Sequence, residues 1–438
     1  MKRTLATKDL AIHLWRRLKN IVSSRLYRNA FYLMLTTGVT SVLGFVFWII
    51  IARFYSVVDV GYASAIISAT SMLAFFSMAG LNVSLIRFLR RDNNPGELIN
   101  VSLTSTAVIS LVVAGIFVMG VGVWSPALNF IRENGFFVVT FIAVVTITTL
   151  SDMVGSVFVA ERRAEFTFLK GIITSVLKMP LPIVLAAFFH AFSVVASWAI
   201  ATLVALFVSL FHFLPRIETG YRLMPSFSIS RIKGLWRYSI GSYTASLLTH
   251  ATIAILPLMV LNLLGSERNA YFFIAWSIAA ILFAIPRATS ESLFAEGIYT
   301  RENMKENLTR AIRFNFILLI PAAAVLILGG KWILLAFGTR YSVNALHLLW
   351  LLSLSSLPRG VSDIYTTLLR AQDRLKELVL LRGLITAATL LLGWWAMETF
   401  GIIGLGFVIL GVQLVAAGVL AIRLRTSMNL KTVGGADC

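Results

Sequence analysis

The sequence predicts an all-α integral membrane protein of about twelve transmembrane helices in two parallel six-helix lobes. Three observations lead there. The 438 residues are 58% hydrophobic and only 13% charged, where soluble domains carry about 25% charged residues. The chain divides into apolar stretches of roughly 18 to 25 residues, each long enough to cross a hydrocarbon layer of about 30 Å. Two of its segments recur in order at one common shift, the mark of an internal repeat.

Residues 1–29 come first. Over 8–28, Leu10, Leu14, Leu18, Val22 and Leu26 share a stripe, with Lys8, Arg16, Arg17, Lys19 and Arg25 elsewhere. This predicts a basic amphipathic helix lying on anionic membrane lipids, with a solvated basic tail as the alternative. A full-length apolar span follows, without a small-residue cleavage site, so no signal peptide is expected. Spans 1 to 6, at 31–51, 61–81, 100–123, 136–160, 168–189 and 191–214, form a first lobe, 30–214. The polar, basic stretch 215–236 is the linker. Spans 7 to 12, at 238–263, 269–290, 312–330, 343–368, 378–397 and 401–422, form a second lobe, 237–423, and 424–438 is a tail. The connections are short, so the function has to live within the helices.

A net charge of +19 would suggest nucleic acid in a soluble protein. Here its placement decides otherwise. The loops on one side hold only Arg53, Arg132, Arg268, Lys331 and Arg340, and most other Lys and Arg gather on the opposite side. That is the positive-inside pattern, and it predicts a multi-pass protein of the cell membrane with both termini cytoplasmic and no nucleic-acid partner. The one cysteine, Cys438, is the last residue. It can form no intrachain disulfide and sits in the wrong place for prenylation.

The repeat sets the topology. SDMVGSVFVAERR at 151–163 returns as SDIYTTLLRAQDR at 362–374, and KGIIT at 170–174 as RGLIT at 382–386. Six spans per lobe is an even number, so both lobes enter from the same side and the repeats are parallel. A carrier that rocks two lobes about a central site is the expectation.

Chemistry in the spans is sparse. No phosphate-cradling Walker loop occurs, and His13, His190, His212, His250 and His347 are scattered without metal-ligand spacing, so no cofactor, metal or enzymatic activity is expected. In-span charges cost roughly 2.5–3.5 kcal/mol each on insertion scales and mark pathways by default. They are Asp152, Lys178, Arg359 and Asp363, with Arg287 and Glu291 near the inner end of span 8. In VLKMPLPIV, 176–184, Lys178 stands beside Pro180 and Pro182, and Arg359 follows Pro358. Under the repeat Asp152 matches Asp363, while Lys178 matches Leu390 and Arg359 matches Thr148. The aspartates therefore read as shared architecture and the cations as additions. Two readings stand for the cations: a central anion site made by Lys178 and Arg359 together, or ion pairs of Lys178 with Asp152 and of Arg359 with Asp363.

The stretch from Ile49 to Arg91 resembles the opening of the polysaccharide-export flippases of the multidrug/oligosaccharidyl-lipid/polysaccharide (MOP) exporter superfamily. Ala52, Arg53, Ser56, Asp59 and Gly61, then Gly80-Leu81-Asn82, carry the resemblance, with LPLMVLNLLG, AYFFIAWSIA and SLFAEG in the second lobe. It implies a V-shaped, MATE-like pair of six-helix bundles that moves polyprenyl-diphosphate-linked oligosaccharide from the inner to the outer leaflet by alternating access. That role belongs to assembly of O-antigen, lipopolysaccharide or exopolysaccharide, with a polymerase and glycosyltransferases as candidate partners. It gives Arg53 and Asp59 a structural role, a clamp on the turn between spans 1 and 2, or else substrate contact. Asn82 and the three prolines belong with gating and helix geometry. The same superfamily offers a cation-coupled drug exporter as the alternative. Such exporters commonly carry an acidic site in span 1 or 7, and 31–51 and 238–263 contain no Asp or Glu. A non-transporting scaffold of an export complex is the third reading.

Overall fold

The computed structural model describes residues 25–295, 304–372 and 374–433, and every regular element among them is helical. The amphipathic stripe expected over 8–28 falls almost wholly outside the described residues, as do the side chain of Glu291 and Cys438. The first lobe contains α1 (Arg25–Phe54), α2 (Val57–Met78), α3 (Pro95–Met119), α4 (Gly135–Ala160), α5 (Ala164–Leu177) and α6 (Leu181–Val208). The second contains α7 (Ile229–Leu264), α8 (Ser266–Ala295), α9 (Met304–Phe337), α10 (Leu346–Ala371) and α11 (Leu375–Val433).

Ten windows are long and apolar enough to cross a membrane. One of them, Leu375–Arg423, is broken at Gly401, whose φ of 63° and ψ of −150° only glycine takes readily, so it supplies two crossings. Helix α10 has the length of a span, but its polar residues hold down its hydropathy. Counting it, the chain crosses twelve times, and the protein is a multi-pass membrane protein.

Span 5 departs from a plain helix. α5 stops at Leu177, Lys178 caps it, and α6 begins again at Leu181 with proline in its first turn. Pro180 and Pro182 therefore sit where no intrahelical N–H bond is due, the cheapest place for proline in a span, and not in a helix interior as their position in the run suggested. The Pro182 carbonyl accepts the Tyr55 hydroxyl at 2.6 Å. The chain reverses within α6, where the Ser193 hydroxyl bonds the Leu185 carbonyl eight residues back. Pro257, Pro286, Pro321 and Pro358 do lie inside helices α7, α8, α9 and α10.

The basic loops mark one end of the bundle, here the basic end, and the other is the far end. Helices α2, α7 and α8 carry the seam between the lobes. At the far end Asn269 of α8 donates to the Gly61 carbonyl at 2.8 Å and the Ser64 hydroxyl at 3.1 Å. A Cβ on Gly61 would run into the Ser266 carbonyl, so only glycine lets these backbones meet. Asn262 of α7 accepts from the Ala127 amide at 3.0 Å. At the basic end the seam is carried by α7, whose Tyr243 hydroxyl donates to the Phe75 and Phe76 carbonyls. Gly80, left-handed at φ 80°, turns the chain there into the short helix Leu81–Phe88, against Ser239 and Tyr243.

Candidate functional site

Helix α10 places Arg359, Asp363, Thr366, Thr367 and Arg370 at spacings of four, three, one and three residues, which puts all five on one face. Opposite them α7 presents Ser246, Thr249, His250 and Ile253, α8 presents Phe283 and Arg287, and α11 presents Arg382. Together they enclose a cavity of about 170 Å³ inside the second lobe. Pro358 precedes the key arginine, and Gly360 after it lets α10 approach Asn315 of α9, since a Cβ there would collide with the Asn315 side chain.

Electrostatics give the cavity its character. Asp363 bridges two arginines, with Arg382 Nη2 at 2.8 Å and Arg359 Nε at 3.7 Å. Arg382 also donates to the Thr366 hydroxyl at 3.0 Å, and the Arg359 guanidinium lies over the Phe283 ring, 4.4 Å from its centroid. Among the described residues four guanidinium groups line this space against a single carboxylate. The Nε groups of Arg359 and Arg382 are buried and hydrogen-bonded to nothing. A low-dielectric pocket with surplus cations can take an anion.

Of the residues singled out in the sequence, Arg359, Asp363 and Arg287 meet here, and Pro358 shapes the helix that carries two of them. The ion pair of Arg359 with Asp363 is present, but as half of a bridge that Arg382 completes. Lys178 and Asp152 belong to the first lobe, and neither lines this cavity. Nor do those two pair with each other. Asp152 interacts with Lys170, whose ammonium donates to the Ser151 carbonyl and, at 3.2 Å, to its hydroxyl. Lys178 caps α5 and holds its ammonium 4.9 Å from the centroid of the buried Phe47 ring.

Asp59 belongs to the cap of α2: the Ser56 hydroxyl accepts from its amide at 3.1 Å and donates to its carboxylate at 2.6 Å. Arg53 makes no bond to Asp59 and crosses instead to the other lobe, donating to the Leu335 and Ala336 carbonyls at 2.7 and 2.8 Å. Those are last-turn carbonyls of α9, at the negative end of the helix dipole. Asn82 lies on the short helix at the basic end, with its side-chain oxygen buried and unpartnered. Among the described residues no cluster fit for a metal ion occurs.

Sequence reasoning passed over Lys170 and Arg382, although both stand in the recurring KGIIT and RGLIT segments. Read together with the recurring Ser-Asp, those segments specify one ion pair in each lobe. Arg370 and His250 left no such signal.

The model of the polysaccharide biosynthesis protein family matches residues 26–283, more than half of the chain. The chain belongs to that family. No curated protein matches its sequence. Among solved structures, the inward-facing form of a multidrug resistance MATE transporter of the MOP superfamily is 14% identical, covering 91% of this chain and 96% of that one, with a TM-score of 0.69. The lipid II flippase MurJ in an inward closed conformation is 11% identical, covering 90% and 87%, with a TM-score of 0.72. A MOP superfamily transporter from Pyrococcus furiosus, described as having a binding pocket of reversed polarity, is 13% identical over 92% and 95%, with a TM-score of 0.56. At such identities the fold is what is shared. This member of the polysaccharide biosynthesis family thus shares its fold with the MATE transporter and MurJ.

Proposed function

We propose that the protein is a flippase for polyprenyl-diphosphate-linked oligosaccharide, carrying the head group from the cytoplasmic to the outer leaflet of the cell membrane during cell-surface polysaccharide assembly. The observation that carries this reading is the second-lobe cavity, where four arginines face one carboxylate. A diphosphate supplies the missing negative charge, and each charge-assisted bond formed there is worth about 1.5–3 kcal/mol. A cationic drug would meet repulsion in the same place.

The basic end faces the cytoplasm on this reading, with both termini there. The far-end contacts of Arg53, Asn262 and Asn269 hold the lobes together on the outer side on this reading. The prenyl tail stays in lipid while the diphosphate and its sugars enter between the lobes. Rocking then breaks the far-end contacts and opens the cavity outward. A polymerase and glycosyltransferases are the partners such a step would serve.

Proteoliposomes holding fluorescent polyprenyl-diphosphate oligosaccharide test this by quencher access. The wild type should exchange the probe between leaflets, Arg359→Gln should slow exchange by about tenfold or more, and Arg359→Lys should retain part of it. Wild-type protein that leaves this lipid in place but carries cationic dyes would establish the drug-exporter reading instead. Inactivity toward both, in protein that stays folded, would leave the scaffold.

A further inference from the structure

Beyond the arginines the cavity continues into a smaller chamber that shares Thr249, Ile253, Arg359 and Arg382 with it. Its added walls include Trp276 of α8 and Gln413 of α11, Thr252 of α7 with Thr386 and Thr389 of α11, and the apolar Leu256, Ile385 and Ile409. Trp276 lies ten residues in from the far end of α8, so at 1.5 Å per residue it stands about 15 Å deep, near the middle of the bundle.

Two polar groups here have no partner among the described residues, although the Trp276 ring itself packs against Phe272 and Phe283. The Gln413 side chain makes no hydrogen bond, and its oxygen is buried. The indole nitrogen of Trp276 likewise donates to nothing among the described residues, whereas Trp350 and Trp394 both find acceptors, Ile327 and Glu398. An idle buried amide costs about 1–3 kcal/mol, and a tryptophan in a pocket usually satisfies its N–H. Thr252 and Thr386 bond each other at 2.8 Å and so are fixed in place.

We propose that this chamber is the subsite for the first sugar of the lipid-linked substrate, with Trp276 and Gln413 as its specificity-determining residues. It rests on the flippase reading. The chemistry is that of a glycosyl diphosphate: the phosphates lie on Arg359 and Arg382, the apolar face of the attached pyranose covers the Trp276 ring, and sugar hydroxyls satisfy Gln413. An aromatic ring with a free amide directly beside a phosphate site suits a sugar better than it suits a prenyl chain, which would leave the amide unpaired.

The test uses purified full-length protein in nanodiscs and two kinds of probe: farnesyl diphosphate, and farnesyl diphosphate carrying one glucose, galactose or N-acetylglucosamine. At least one sugar-bearing probe should bind the wild type about tenfold more tightly than farnesyl diphosphate. Trp276→Ala and Gln413→Ala should each erase that advantage while leaving farnesyl diphosphate affinity within about twofold, and Trp276→Phe should keep part of the advantage. Because the quantity read is a ratio of two affinities in one preparation, loss of folded protein does not imitate the result. Equal binding of all probes by the wild type, or an advantage that survives Trp276→Ala, overturns the subsite alone. If farnesyl diphosphate binds no better than farnesol, the flippase reading itself falls.

Discussion

The two lobes use the same acid–base pair to different ends. In the first, Asp152 interacts with Lys170, and Thr148 stands where the second lobe has Arg359. In the second, Asp363 is buried between Arg382 and Arg359, and Arg287 and Arg370 line the cavity beside them. What the repeat holds in common is therefore architecture: a carboxylate on the fourth helix of each lobe paired to a cation on the fifth. What the second lobe adds is a set of cations in excess of carboxylate, and these are what the proposed function draws on.

The sharpest way to break this comparison is to remove the two aspartates in turn. Asp363→Ala strands two buried guanidinium groups, and breaking a buried pair of this kind costs about 3–5 kcal/mol. Asp152→Ala strands one cation rather than two, and Lys170 keeps its bonds to Ser151, so the loss is smaller. Thermal unfolding in detergent should therefore show a large drop in Tm for the first and a small one for the second. Equal drops would mean that both pairs are merely structural, and the cavity's charge would lose its claim to function.

A second difference lies along the seam, between its two ends. At the far end Arg53 supplies two of the polar contacts between the lobes, beside those of Asn262 and Asn269. Because Arg53 is exposed, its two bonds to α9 are worth about 1–2 kcal/mol together, enough to move a two-state equilibrium by roughly tenfold. Arg53→Gln should shift the protein toward the form open at the far end, read as faster labelling of a cysteine placed at Leu335. Unchanged labelling would show that Asn262 and Asn269 hold the seam without it.

Much of this was legible in the sequence, for reasons specific to each element. Hydropathy gave the spans because lipid demands unbroken helices, and the repeat gave two parallel lobes. Resemblance over Ile49 to Arg91 gave the family. The site was only half legible. Arg359 stood out as an intramembrane charge, but the pairing with Lys178 presumed a site shared equally between lobes. The cavity lies instead within one lobe, and which cations meet depends on helix rotation, which the spans do not encode. Asp152 found Lys170 because the partner lay in the recurring KGIIT segment, two turns from Lys178 on the same helix. Arg53 defeated a local reading for a similar reason. Its partners are carbonyls at Leu335 and Ala336, and backbone groups leave no trace in composition.

Lys178 gives the smallest and most discriminating expectation. A lysine beside two prolines within a span invites a functional role, yet each oddity has a local cause. The prolines open α6, and Lys178 ends α5, where a cation meets the free carbonyls of the last turn. Its ammonium over Phe47 adds about 0.5–1 kcal/mol, and the helix terminus about as much again. Lys178→Gln should therefore lower Tm by only a few degrees and leave leaflet exchange within about twofold of wild type, in contrast to Arg359→Gln. If Lys178→Gln instead abolishes exchange without a change in Tm, the first lobe takes part in moving the anion. The division of labour between the lobes would then have to be redrawn with Lys178 as the first lobe's own addition.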